Sequence, residues 1–183
     1  VPQLFDFIQE GGLTFGRWLK QAPYAPQCGI IANIPQATRL AKLSLVEQYA
    51  AVELFRGTMV RHSAVVYRDD TPSPQAIQFT GDAWLSYVPI RMADTICVEE
   101  RVPQGATAVL INRRHTYTDI FLPINAAEKR LLDAIDGKRS LTEIMAKAET
   151  SSPKKSWGEL ARSFFERLWW YDQVLFDASI QNE

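Results

Sequence analysis

Between Pro123 and Ala148 the chain reads PINAAEKRLLDAIDGKRSLTEIMAKA, the stretch whose reading decides the expected fold. Asn125 precedes an apolar-periodic run and has Glu128 three residues on; Ser140 precedes a second and has Glu143 three residues on. Each pair has the spacing of a capping box, in which a short polar side chain and an acid satisfy one another's backbone N–H groups. Gly137 lies between the runs, where a glycine ends a helix in the left-handed conformation. Two short helices are expected. Downstream, TSSPKKS reads as a loop, WGELARSFFERLWWYD as a third helix and QVLFDAS as a closing strand. Helix, helix, helix, strand in about 60 residues is the layout of a winged helix, a relative of the helix-turn-helix.

A helix-turn-helix raises the question of DNA. A reading helix needs polar or basic residues facing a groove and basic flanks on the phosphates. The third helix instead carries Leu160, Phe164, Phe165, Leu168, Trp169, Trp170 and Tyr171, with Arg162 and Arg167 beside Glu159 and Glu166. From Pro123 to Glu183 there are 9 Lys/Arg and 10 Asp/Glu, and Lys154–Lys155 is the only basic pair near that helix. So much aromatic surface argues for burial against protein. No nucleic-acid partner is expected, and Phe164 and Leu168, four apart on one helix face, are expected in the core.

Upstream, VPQLFDFIQEGG spaces Leu4, Phe5, Phe7 and Ile8 helically, with Pro2 near the start and Gly11-Gly12 as the stop. LTFGRWLKQ has apolar residues on both faces and reads as a buried strand. Helix, double glycine, strand is a unit that ends many α/β domains. The proline-rich APYAPQCGIIANIP reads as a connection leaving that layer. A further helix is expected from about Ser44 to Met59, with Ser44 and Glu47 at capping-box spacing and Leu45, Tyr49, Val52, Leu54, Phe55 and Met59 along a stripe. SAVVYRDD, ended by the turn-rich DDTPSP, is a strand candidate, as are QAIQFTGD, AWLSYVPIR, TICVEERVP and TAVLINRRHTYTDIFLPI. The expected class is α+β: a mixed helix and antiparallel-strand region followed by a winged-helix-like C-terminal lobe. Its divisions are 1–35 (the helix-strand end of an α/β layer and connection), 36–122 (a mixed accessory region) and 123–183 (the lobe).

Composition limits the function classes. Of 183 residues, 46% are hydrophobic and 22% charged, ordinary for a globular protein, and the net charge of -1 sets up no field toward nucleic acid or anionic lipid. Cys28 and Cys97 are too few and too isolated for a disulfide framework or zinc site and fit a reducing cytoplasm. No apolar run approaches the roughly 20 residues of a membrane span, and no signal peptide opens the chain; no membrane partner is expected. The start at Val1, without methionine, suggests a processed chain or a piece of something longer.

The richest polar clusters are VRHS, with Arg61 and His62, and NRRHTYTD, with Arg113, Arg114, His115, Tyr117 and Asp119. Read functionally, His62 or His115 is a general base and the arginines hold an anionic substrate. Read structurally, these are helix-end and hairpin-edge residues in solvent. Two histidines without ligand spacing do not make a metal site. Cys28 lacks a paired base and reads as a small buried hydrophobe. The nine glycines form neither G-x-G-x-x-G nor G-x-x-x-x-G-K-[ST].

VPQLFDFIQEGGLTFGRWLKQAPYAPQCG resembles the last helix and strand of class I S-adenosylmethionine-dependent methyltransferases, in which a helix of the type LxxxLxxAGF precedes a strand that finishes the sheet. QYAAVELFRGTMVRHSAVVYRDD is similar to the C-terminal extension of a bacterial branch of that family. LPINAAEKRLLDAIDGKRSLTEI is similar to the winged-helix lobe that follows in such multidomain enzymes, and to small winged-helix peptide-binding modules of peptide-modifying enzymes. The resemblance covers nearly the whole chain, but the family's cofactor loop and ribose-binding acid have no counterpart in it. It implies an accessory or substrate-recognition part, not catalytic by itself, whose partner is its own upstream catalytic domain, with a protein or peptide as the candidate substrate and the methyl acceptor unspecified. No cofactor is expected in this chain; S-adenosylmethionine enters only with the upstream domain. A peptide- or protein-binding module without enzymatic role is the alternative, and a DNA-binding regulator the third reading. Arg61, His62, Arg113, Arg114, His115 and Tyr117 are the expected substrate or partner contacts.

Overall fold

The computed structural model describes residues 1–71, 76–149 and 154–179, the side chains of 154–156 excepted. The fold is α+β, with helices and antiparallel strands. The chain forms two compact units: Val1–Ala76 with Tyr117–Ile120, and Ile77–Thr116 with Phe121–Glu183. These units part the chain at other places than 35/36 and 122/123, and the pairings below give the reason.

In the first unit, α1 (Pro2–Glu10) starts on a proline and stops at Gly11, and β1 (Leu13–Trp18) follows at once. After a 3-10 turn at Gly29–Asn33 come α2 (Ala37–Leu40), α3 (Leu45–Arg56) and β2 (Ala64–Arg68). β1 was expected to be buried on both faces. It instead alternates half-buried with exposed positions before the buried Trp18, because it pairs with β2 alone, antiparallel, in a two-stranded ribbon. That pairing ties residues before 35 to residues after 36. Ser44 and Glu47 form the expected capping box on α3. The helix ends at Arg56, because Gly57 adopts φ +64 and closes it, so Met59 lies beyond. Only Tyr49 and Val52 of the expected stripe are buried; Leu45, Leu54 and Phe55 are exposed. The core here is small and aromatic: Trp18, Tyr24 and Tyr49 with Phe5 and Phe15 against them.

In the second unit, β3 (Val88–Arg91) and β4 (Thr95–Val98) are followed by β5 (Ala108–Asn112) and β6 (Leu122–Ile124). Then come α4 (Ala126–Asp133), α5 (Leu141–Ala148), α6 (Lys154–Trp170) and β7 (Val174–Asp177). β4, β5 and β6 form an antiparallel sheet in that order. β6 crosses the expected 122/123 boundary. Both capping boxes of the opening stretch are present, at Asn125/Glu128 and Ser140/Glu143. α4 ends at Asp133, four residues before Gly137, which serves the turn with φ +74. Three helices and a strand follow Pro123 in the expected order, but β7 pairs with β3, outside 123–183. The C-terminal lobe therefore shares its core with residues from Phe79 onward: Trp84, Tyr87 and Leu110 pack in one cluster with Leu131, Ile144, Phe164 and Leu168. The QAIQFTGD candidate forms no strand where it is described; Phe79 joins the core from an irregular segment, and residues 83–86 make a 3-10 turn. TAVLINRRHTYTDIFLPI is two strands, not one. Of the expected DDTPSP turn, residues 72–74 lie outside the described residues, as do residues 150–153 of the expected TSSPKKS loop; the rest of that loop is helical, because α6 begins at Lys154 rather than at Trp157.

Candidate functional site

The sequence-expected contacts fall into separate places. His62 belongs to the first unit and His115 to the second, and each is bonded within its own unit.

His62 follows α3, which carries Glu53 on its last turn. His62 Nε2 lies 3.0 Å from Glu53 Oε1, and His62 Nδ1 lies 2.8 Å from the Tyr24 hydroxyl. A carboxylate only accepts, so Nε2 carries a proton, and in the neutral imidazole Nδ1 accepts from Tyr24 O–H. Glu53's other oxygen meets the Val1 nitrogen. The Tyr24 ring stacks on Trp18 with centroids 3.9 Å apart and planes 8° from parallel. Burial first, and the Glu53 charge second, push the Tyr24 phenol up to about 12, so at neutral pH it is a hydrogen-bond donor rather than a nucleophile. Arg61 is exposed.

Within the same unit lies an arrangement built on Arg56. Arg56 Nη1 donates to Asp119 Oδ1 at 3.0 Å and Nη2 to Oδ2 at 3.3 Å, while Nε donates to Pro23 O at 3.0 Å. The guanidinium lies over the Tyr117 ring, 4.2 Å from its centroid. Thr58 Oγ1 donates to the Tyr117 hydroxyl at 3.3 Å. Ile30 N–H donates to Asp119 Oδ2 at 2.9 Å. Burial acts to raise the Asp119 pKa, but the bonds from Arg56 and Ile30 outweigh it and hold the carboxyl below its ordinary value.

In the second unit, His115 is not in solvent: its side chain is 2% exposed. Nε2 lies 3.0 Å from Asp172 Oδ2, and Nδ1 is buried with no hydrogen-bond partner among the described residues. Asp172 holds a left-handed φ of +53 at the corner from α6 into β7. Asn112 Nδ2 donates to the Asp172 carbonyl at 2.6 Å, and Asn112 Oδ1 accepts from the Arg114 N–H at 3.0 Å. Asn112 and His115 thus clamp the end of β5 to the α6–β7 corner. Buried this far, His115 positions that corner and offers no base to a substrate. Arg114 pairs with Asp94 at 2.6 Å, and Arg113 is exposed.

No family model matches the chain, and no curated protein is similar enough to it to indicate a family.

Cys28 is buried, as the sequence implies. Among the described residues, no group of three or more His, Cys, Asp or Glu is placed to hold a metal ion, and no helix is long and apolar enough to cross a membrane. Sequence reading missed Arg56, Tyr24, Glu53 and the Gly29–Ile30 turn. Asp119 and Ile30 are 89 positions apart, and Asp119 and Arg56 are 63 apart. No local pattern announces such a pairing.

Proposed function

We propose that this chain is the accessory, substrate-recognition part of a bacterial S-adenosylmethionine-dependent methyltransferase, acting in the cytoplasm and not catalytic by itself. The observation that carries this reading is how its chemically able groups are used. Arg56 is bonded to Asp119, His62 to Tyr24 and Glu53, His115 to Asp172 and Arg114 to Asp94. A catalytic base or anion clamp keeps an accessible bonding position for substrate; these groups bond their own chain, and the one ring nitrogen without a partner, His115 Nδ1, is buried. Support for the family comes only from element order: a helix, double glycine and strand at the N-terminal end and three helices after Pro123 follow the resemblance, while β1 pairs with β2 and β7 with β3. The test is the coding sequence upstream of Val1. An in-frame strand, glycine-rich loop and helix, followed by a strand ending in an acidic residue, is expected. A frame without them overturns the reading.

A protein- or peptide-binding module without enzymatic role is the second reading. Phe7, Leu19, Leu54, Phe55 and Val60 of the first unit are exposed, and apolar side chains left in water favour a partner that covers them. Binding of a peptide or protein by a chain whose gene holds no catalytic domain would favour it.

A further inference from the structure

The Arg56–Asp119 contact has the chemistry of a receptor and its ligand, both supplied by one chain. Arg56 ends α3 with a side chain only 3% exposed. Its Nε is committed to Pro23 O. That bond fixes the plane of the guanidinium and leaves Nη1 and Nη2 for an acceptor with two coplanar oxygens, which is the geometry of a carboxylate. Ile30 N–H supplies a third donor, to the same Oδ2 that Nη2 holds. Gly29 supplies space: it adopts φ +69, and a Cβ there would run into the Asp119 carboxylate. Tyr117 covers one face of the guanidinium.

We propose that Arg56, the Ile30 N–H and the space at Gly29 form a carboxylate-binding site, which Asp119 fills as an internal ligand and which takes a free carboxylate anion when that of Asp119 is removed. A guanidinium this buried is strongly unfavourable without a counter-charge, so an emptied site draws an anion from solution. The fork and the backbone N–H select a planar carboxylate over a spherical halide. The lowered Asp119 pKa agrees with a site that prefers the ionised form. The inference does not rest on the methyltransferase reading and survives its failure.

The test is chemical rescue. Asp119→Ala and Asp119→Ser remove the carboxylate and leave room for formate. Each is melted at neutral pH in sodium formate and in sodium chloride of equal ionic strength, the chloride arm accounting for screening. In chloride both variants should melt below the unsubstituted protein. Formate should return most of the loss, saturably, while the unsubstituted protein gains no more from formate than from chloride. Adding Arg56→Gln to Asp119→Ala should abolish the rescue. If Asp119→Ala is unfolded in chloride, refolding on addition of formate is the same positive result. Formate no better than chloride for both variants, or rescue that persists without Arg56, overturns the site.

Discussion

Asp119 shows how one side chain can hold an irregular segment. Its carboxyl is held below the ordinary value, so the stability it contributes is fully present above the unfolded-state pKa of about 3.9 and is lost as pH falls through the lower folded value. Asp119→Asn should therefore destabilise the protein at neutral pH, and the difference from the unsubstituted protein should close on acidification below about pH 4. Urea unfolding at several pH values checks this; a difference that stays constant with pH means the carboxylate charge plays no part. Gly29→Ala acts on the same site from the other side. The left-handed backbone alone costs a residue with a side chain roughly 1–2 kcal/mol, and the new methyl must also displace the Asp119 carboxylate. A loss of at least that size in denaturant unfolding is expected.

The helices differ in what their apolar residues do. α6 buries Phe164, Phe165 and Leu168 completely, because they fall on the face turned to a core that Leu131, Ile144 and Trp84 complete. Phe164→Ala should cost roughly 3–5 kcal/mol; a change under about 1 kcal/mol would mean that face is not packed. α3 has the opposite character. Leu54 is 82% exposed, so Leu54→Gln should change stability by no more than about 0.5 kcal/mol. If it weakens capture of a partner while leaving the melting temperature alone, the apolar residues of this unit are a binding surface. The capping boxes are local devices, and Ser140→Ala should cost about 1 kcal/mol through loss of the bond to Glu143 N–H.

The protein has two units, a small one with an aromatic core and a larger one with a mixed core. Two binding experiments bear on its role. Calorimetry should show no specific S-adenosylmethionine complex with this chain, because the glycine loop and ribose-binding acid are missing from its sequence; a micromolar complex would overturn the accessory reading. A titration against duplex DNA in about 0.15 M salt should show no sequence discrimination, since affinity there rests largely on phosphate neutralisation. Residues 123–183 carry 9 positive against 10 negative residues, and α6 spends its bulk on Phe164, Phe165 and Leu168 in the core.

Much of this fold is written in short stretches of the chain, and the rest is not. Asn125 with Glu128, and Ser44 and Ser140 with their glutamates, specify helix starts, because a capping box is closed within four residues. The Phe164–Leu168 spacing specifies a buried face, because helical periodicity is local. Those readings hold in the structure. The partner of β7 is different: it lies more than 80 residues upstream in β3, and nothing in QVLFDAS distinguishes that partner from a wing strand beside it. The exposed Leu54 and Phe55 could not be told from the buried Val52 by hydrophobicity, since which face of α3 is covered depends on where β1 and α1 pack. The histidines divide in the same way. His62 and His115 stand out in the sequence, but the bonds that occupy them come from Glu53, Tyr24 and Asp172. The Arg56–Asp119 site is a further case, a receptor and a ligand 63 residues apart. Local hydrogen bonds and periodicity are decided over a few residues; the burial of a charge, and the counter-charge that makes it tolerable, are decided only when distant segments meet.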